Sequence, residues 1–238
     1  MPNSTVARPV LSIVRRTAVS AAGVAALVGI TAAYTPGTAH AEPTAATPSA
    51  ADFSDCPPLP SGVDPARWRC EVHNAAPKLT MGKLTVNLAP ITMTHAEGPL
   101  PDGTDGQVWG TMHTTPTAMS KGLAILPEYG GRSDFYTGQF SLRFRLLGPL
   151  LRHSCTIGAD APVDFQLKRS GPSEWLSQDP PLIKFSAYDD TFSAPAAEHC
   201  GPLTASLNRI LGLQATSGNL MTYDATYTFK TYDQLPER

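Results

Sequence analysis

From Glu71 to the C-terminus, apolar and polar residues alternate with a period of two, the mark of strands that bury one face. The cleanest run is the last one. Met221, Tyr223, Ala225, Tyr227 and Phe229 share one face, and Thr222, Asp224, Thr226, Thr228 and Lys230 share the other. The pattern ends at Thr231, which is polar on the apolar side. Phe140, Leu142, Phe144 and Leu146 against Ser141, Arg143 and Arg145 predict a second strand, and Val163, Phe165 and Leu167 a third. Further strands are expected at Leu84–Leu88, Ile91–His95, Val108–Met112 and Leu182–Phe185; the turn sequence Pro101–Gly106 precedes the third of these. Leu123–Leu126 is a short apolar run that Pro127 is expected to end. Helical spacing appears once outside the N-terminus, over 202–211, where Leu203, Leu207, Ile210 and Leu211 line up and Gly212 stands at the C-cap position. Many short strands, one helix and 23 prolines predict an all-β fold, an antiparallel sandwich or distorted barrel with one short helix near 202–211.

The N-terminal pattern differs. Arg8, Arg15 and Arg16 precede an Ala-rich apolar run to Tyr34, and Ala39 and Ala41 supply the small residues of a cleavage site. Residues 1–41 therefore read as a cleaved signal peptide, 42–55 as a disordered Pro/Ala/Thr-rich leader, and 56–238 as a single disulfide-stabilised β domain. The Arg15-Arg16 pair admits twin-arginine export, but Thr17-Ala18-Val19 lacks the bulky apolar residues expected after it, which favours the general secretory route. The expected location is secreted, extracellular or cell-wall associated, with no membrane span after cleavage. Losing residues 1–41 removes three arginines and no acid, leaving 15 basic and 20 acidic residues and a formal charge of −5. Such a chain offers no basic stripe for nucleic acid or an anionic membrane.

Four cysteines in an exported chain are most simply two disulfides, with three connectivities open. Cys56–Cys70 with Cys155–Cys200 is the favoured pairing, because each pair brackets a self-contained segment. The first encloses a proline-rich loop with one helical turn expected from Pro65, and Trp68 behind it reads as a plug over the domain edge.

Chemical signatures are sparse. The chain has no G-x-S-x-G elbow, no H-E-x-x-H, no P-loop and no Rossmann glycine run, and no cysteine is left free as a nucleophile if both disulfides form. No metal ligand set and no cofactor are expected. Asp102–Gly106 reads as a hairpin turn rather than a calcium loop, and Asp189-Asp190 as a turn rather than a catalytic pair. His73, His95, His113, His153 and His199 read as surface or satisfied core residues; His95 with Glu97, or His113 with a distant carboxylate, are the pairs that offer acid–base chemistry. The stretch best suited to a ligand is Glu128–Gly138, read as a long loop. Its Tyr129, Arg132, Asp134 and Tyr136 combine stacking faces with hydrogen-bonding groups. Trp109 and a loop-borne Trp175 are added as further ligand-binding candidates.

Short pieces in the second half are Cys155-Thr156-Ile157-Gly158, Pro162–Leu167, Phe192-Ser193-Ala194-Pro195, Cys200-Gly201, Leu211-Gly212-Leu213 and Ser217-Gly218-Asn219-Leu220. In order and spacing, over about residues 153–221, they resemble a loose group of small secreted actinobacterial proteins of unassigned function. The resemblance implies a shared exported β architecture and the Cys155–Cys200 bridge, and no activity. The functional expectation is a non-catalytic binding module for a cell-wall glycan or an extracellular protein. An extracellular hydrolase with a dispersed active site is the first alternative. A secreted protease inhibitor presenting the Cys56–Cys70 loop is the second.

Overall fold

The computed structural model describes residues 51–236. The signal peptide read over 1–41, and the leader as far as residue 50, lie outside the described residues. The last leader residues are packed: the Asp55 carbonyl accepts a hydrogen bond from Thr94 Oγ1 at 2.8 Å, and Lys230 stands 5.1 Å above the Phe53 ring.

Among the described residues fourteen strands form two antiparallel sheets. In chain order they are β1 (Arg69–Met81), β2 (Leu84–Asn87), β3 (Ile91–Pro99), β4 (Asp105–His113), β5 (Thr117–Ala118), β6 (Ala124–Asp134), β7 (Gln139–Leu147) and β8 (Thr156–Ile157). There follow β9 (Val163–Gln166), β10 (Lys168–Arg169), β11 (Glu174–Gln178), β12 (Pro181–Asp189), β13 (Ala197–Glu198) and β14 (Leu220–Thr231). The larger sheet has the order β10-β12-β14-β1-β3-β4, with β11 added on β12 and β2 on β1. The smaller has the order β13-β8-β7-β6-β5, with β9 on β7. The fold is the sandwich-like all-β class that the alternation predicts, with one α-helix among the described residues, α1 (Thr204–Leu211).

The central pair is β1 with β14, in register from Arg69↔Thr231 to Thr80↔Leu220. Pro77 is tolerated within β1 because β3 pairs with Arg69–Ala75 and β2 with Lys78–Met81, so residue 77 faces the gap between them. Its carbonyl points to the same side and accepts from Leu88 N at 2.9 Å. The odd-numbered positions of β1 and β14 face the smaller sheet. From residue 75 onward on β1 these are Ala75, Pro77, Leu79 and Met81; Ala75, Leu79 and Met81 pack with Leu142, Phe144, Leu146, Ile157 and Phe165 of the opposite sheet.

Two expectations change. β6 does not stop at Pro127; it runs on to Asp134, which shortens the expected Glu128–Gly138 loop to a tip at Phe135–Gly138. β5 covers only Ala124 and Ile125, so Pro127 sits where β6 has become an edge strand and no ladder bond is lost on that side. Trp175 lies on the edge strand β11, not in a loop.

Both favoured disulfides form, Cys56–Cys70 and Cys155–Cys200. A single turn of 3-10 helix at Pro65–Arg67 closes the first loop, and Trp68 is fully buried behind it. Its indole donates to Pro99 O at 2.8 Å. The ring fits only because residue 98 is glycine; a Cβ there would lie 2.6 Å from it. Among the described residues no helix is long and apolar enough to cross a membrane.

The end of the sandwich at the β1–β2 turn is closed by α1, whose Leu211 O accepts from Lys83 N at 2.7 Å. Gly212, at φ 62°, ends α1 in the left-handed conformation that glycine adopts freely. Asn219 Nδ2 donates to both Phe192 O and Ala215 O at 2.9 Å, and its Oδ1 accepts from Gly82 N at 3.0 Å. Asn208 of α1 makes a matching pair of bonds to the backbone of Ala197, at 2.7 and 2.9 Å.

Candidate functional site

At the opposite end of the same sheet the inward face changes character. Continuing the odd positions of β1 towards its start gives His73, Glu71 and Arg69. The register places Glu71 beside His95 and Arg69 beside Glu97 on β3. Two mirror-image triplets, Glu71-Val72-His73 and His95-Ala96-Glu97, therefore put four titratable side chains on one inward-facing patch, because residues two apart on a strand share a face. All four are buried: Glu71 and His73 are 4% and 5% exposed, His95 and Glu97 1% and 9%.

Their contacts are close but incomplete. His73 Nε2 lies 2.9 Å from Glu71 Oε2, and His95 Nε2 lies 3.7 Å from the same oxygen and 3.6 Å from Glu97 Oε2. The Arg69 guanidinium lies between the two carboxylates, with Nε 2.8 Å from Glu71 Oε1 and hydrogen-bonded at 2.9 Å to Glu97 Oε1. The first of these contacts lacks hydrogen-bond alignment, which leaves Glu71 Oε1 without a donor. Both ring nitrogens of His95 and Nδ1 of His73 are likewise buried without a partner. Such groups cost about 1–3 kcal/mol each when left unpaired.

Aromatic faces wall the patch. Phe135, from the β6–β7 tip, stacks on His95 at 3.8 Å between centroids and 8° between planes; Tyr227 of β14 stacks on His73 at 5.0 Å and 11°. The tip is fixed by Gln107 of β4, whose Oε1 accepts from Phe135 N at 3.0 Å. Asp134 turns the tip by accepting from the backbone N–H groups of Tyr136 and Thr137.

A cavity of about 330 Å³ opens here between the sheets. Arg69, Glu71, His73 and Glu97 form its charged floor, and Phe135, Tyr136, Phe185 and Tyr227 give it aromatic walls. Arg169 lines the mouth, its guanidinium 3.9 Å above the Phe185 ring.

The charges follow from these neighbours. Burial pushes the Glu97 carboxyl up, but His95 and the Arg69 charge outweigh it and hold Glu97 below its ordinary value. Burial likewise lowers Arg69, and the two carboxylates reverse this and raise it, so it stays charged. His73 is lowered, first by burial, which prevails over its hydrogen bond to Glu71 and favours the neutral ring. The Tyr136 hydroxyl is pushed up to about 12, by burial first and then by Glu97 and Asp105, and so remains a hydrogen-bond donor.

Of the residues singled out in the sequence, Tyr136 lines this cavity. Tyr129, Arg132 and Trp109 line a neighbouring cleft of about 380 Å³ that also touches His95 and Phe135. Trp109 and Tyr129 stack on one another at 3.9 Å, Arg132 pairs with Asp164, and Asp134 is spent on the turn. Trp175 is half exposed and lines neither space. Asp189 is a buried structural acceptor for Gln166 N and for the Thr191 N–H and hydroxyl. His113 pairs with Asp55 at the surface. Arg69, Glu71 and Arg169 are not among the candidates from sequence, where His73 reads as a surface or satisfied core residue and Glu97 only as the acid–base partner of His95. The signal for Glu71, His73, His95 and Glu97 is the pair of E-x-H and H-x-E triplets at residues 71–73 and 95–97.

These features define a disulfide-linked β-sandwich with a charged, aromatic-walled cavity at one end. No family model, no curated protein and no solved structure matches the chain.

Proposed function

We propose that the protein is an extracellular binding module that seats a sugar residue of a cell-wall glycan in the cavity at the charged end of the sandwich. The observation that carries this reading is the pairing of aromatic walls with a charged floor in one space of about 330 Å³. Sugar rings present apolar C–H faces that stack on aromatic rings, and hydroxyls that hydrogen-bond to guanidinium, carboxylate and phenol groups. Tyr136, Tyr227, Arg69 and Arg169 supply both kinds of contact. Two disulfides suit an oxidising, extracellular location, and the export signal read in residues 1–41 agrees with it.

Hydrolysis is the second reading, favoured by the two carboxylates that share Arg69. Glycoside cleavage by a carboxyl pair needs one acid protonated at working pH. Glu97 is held below its ordinary value, and that favours binding over bond cleavage.

The test is depletion of the purified protein from solution by insoluble cell wall, chitin and cellulose. Tyr136 and Arg169 are both exposed, so their replacement leaves the core intact. Saturable binding to one matrix, weakened about 5- to 10-fold in Tyr136→Ala and in Arg169→Ala, is expected. Failure to bind any of the three, or binding equal in both variants, overturns the reading.

A further inference from the structure

We infer that Glu71, His73 and His95 form a binding site for one divalent first-row transition cation of the zinc type. This goes beyond the glycan reading and does not depend on it.

The geometry comes first. One donor atom from each residue lies within 4.8 Å of the others. A four-coordinate ion with bonds of about 2.0–2.1 Å holds its donors about 3.3 Å apart. The separations of Glu71 Oε2 from His73 Nε2 and from His95 Nε2 are 2.9 and 3.7 Å, which bracket that edge. Side-chain shifts of a few tenths of an ångström, without movement of either strand, bring both to it.

A second, independent observation points to a ligand. His95 is 1% exposed, yet neither ring nitrogen has a hydrogen-bond partner. A satisfied core histidine donates one N–H and accepts with its other nitrogen. A cation at the centre of the three residues would occupy His95 Nε2, His73 Nε2 and Glu71 Oε2 together. It would also give the two carboxylates, which otherwise share the single guanidinium of Arg69, a second positive partner.

The surroundings match what a cation site needs. Phe135 on His95 and Tyr227 on His73 fix the two imidazole planes. Glu97 Oε2, 3.6 Å from His95 Nε2, is placed to serve as a fourth donor or to orient a bound water. Glu71 and His73 also line the cavity, so one coordination position faces space open to solvent or ligand. Two imidazoles with one carboxylate select zinc and its neighbours over magnesium and calcium, which take all-oxygen sets of six or more.

The experiment uses metal alone. After chelator treatment and its removal, ZnCl2 is titrated into the purified protein by calorimetry, with no saccharide present. One equivalent is expected, weakened about 100-fold or more in His73→Gln and in His95→Gln. The surface variant His113→Gln should bind as the parent does. Zinc binding that survives both buried substitutions, or falls as much in His113→Gln, overturns the site; so does the absence of stoichiometric binding. A variant-free measurement guards against loss of folding in His95→Gln. In imidazole 1H–15N spectra of the parent, zinc should move the nitrogens of His73 and His95 and leave those of His113, His153 and His199 in place. The opposite distribution overturns the inference.

Discussion

Asn219 and the pair His73 and His95 are buried at opposite ends of one sheet and differ in how they are satisfied. Along β1 the distance from Thr80, beside the Asn219 end, to Arg69 is about 36 Å of strand. At the Asn219 end the amide makes three bonds to the backbone and Asn208 makes two, so polar burial there closes a structure. At the other end Glu71, His73 and His95 keep polar atoms without partners beneath a cavity. Satisfied polar groups specify a unique packing, and unsatisfied ones are retained where something else is to be bound.

That contrast is open to attack in order of expected effect. Replacing both Cys155 and Cys200 by Ala should lower unfolding stability by about 4 kcal/mol, from the loop they close, and leave binding at the far end unchanged below the transition. Chemical denaturation read beside matrix binding checks this. Leu79→Ala, on the same face of β1 as His73, should cost about 3 kcal/mol with equally little effect on ligand. Arg69→Gln, at the charged end, should cost about 2 kcal/mol at neutral pH, since it leaves Glu71 and Glu97 without their shared cation. In that variant the deficit against the parent should shrink at acid pH, where the carboxylates are protonated.

The pH dependence of the metal-free parent sharpens the same point. The folded-state value of His73 is depressed, so between it and the ordinary value of 6.5 the unfolded chain binds more protons than the folded one. Its contribution is present above pH 6.5 and lost as pH falls below it. Glu97, held below its ordinary value of 4.5, adds a second loss as pH falls further. Stability measured in chelator should thus decline in two stages, and His73→Gln should flatten the upper one. The smallest effect belongs to Trp175→Ser, on an exposed edge strand away from both cavities, which should change stability and binding by no more than about 0.5 kcal/mol.

The legibility of the two ends in sequence differs for a related reason. α1 and its Gly212 stop, the β14 alternation and both bridges are local patterns or simple pairings, and the structure has them where the residues point. β1 was harder to see as a strand with one buried face. Its inward positions change from Ala75, Leu79 and Met81 to His73, Glu71 and Arg69, which breaks the apolar alternation, and Pro77 interrupts it again. His95 was visible on the apolar side of its strand, but its relation to Glu71 lies in the register between β1 and β3, which no single segment states. Trp175 stands out in the sequence as an indole, but the edge strand that carries it leaves the residue outside the lining of both cavities. The site was obscured where functional residues replaced the hydrophobic ones that announce a strand.

The most direct test of the central claim, that the charged end is a ligand site and the Asn219 end is not, is a map of backbone 1H–15N shifts as a soluble cell-wall oligosaccharide is added. The account predicts concentration-dependent movement at Arg69, His73, Tyr136, Arg169 and Tyr227, with Asn208, Gly212 and Asn219 still. Movement confined to the Asn219 end or to the Trp175 strand, or no movement at any residue, would contradict it.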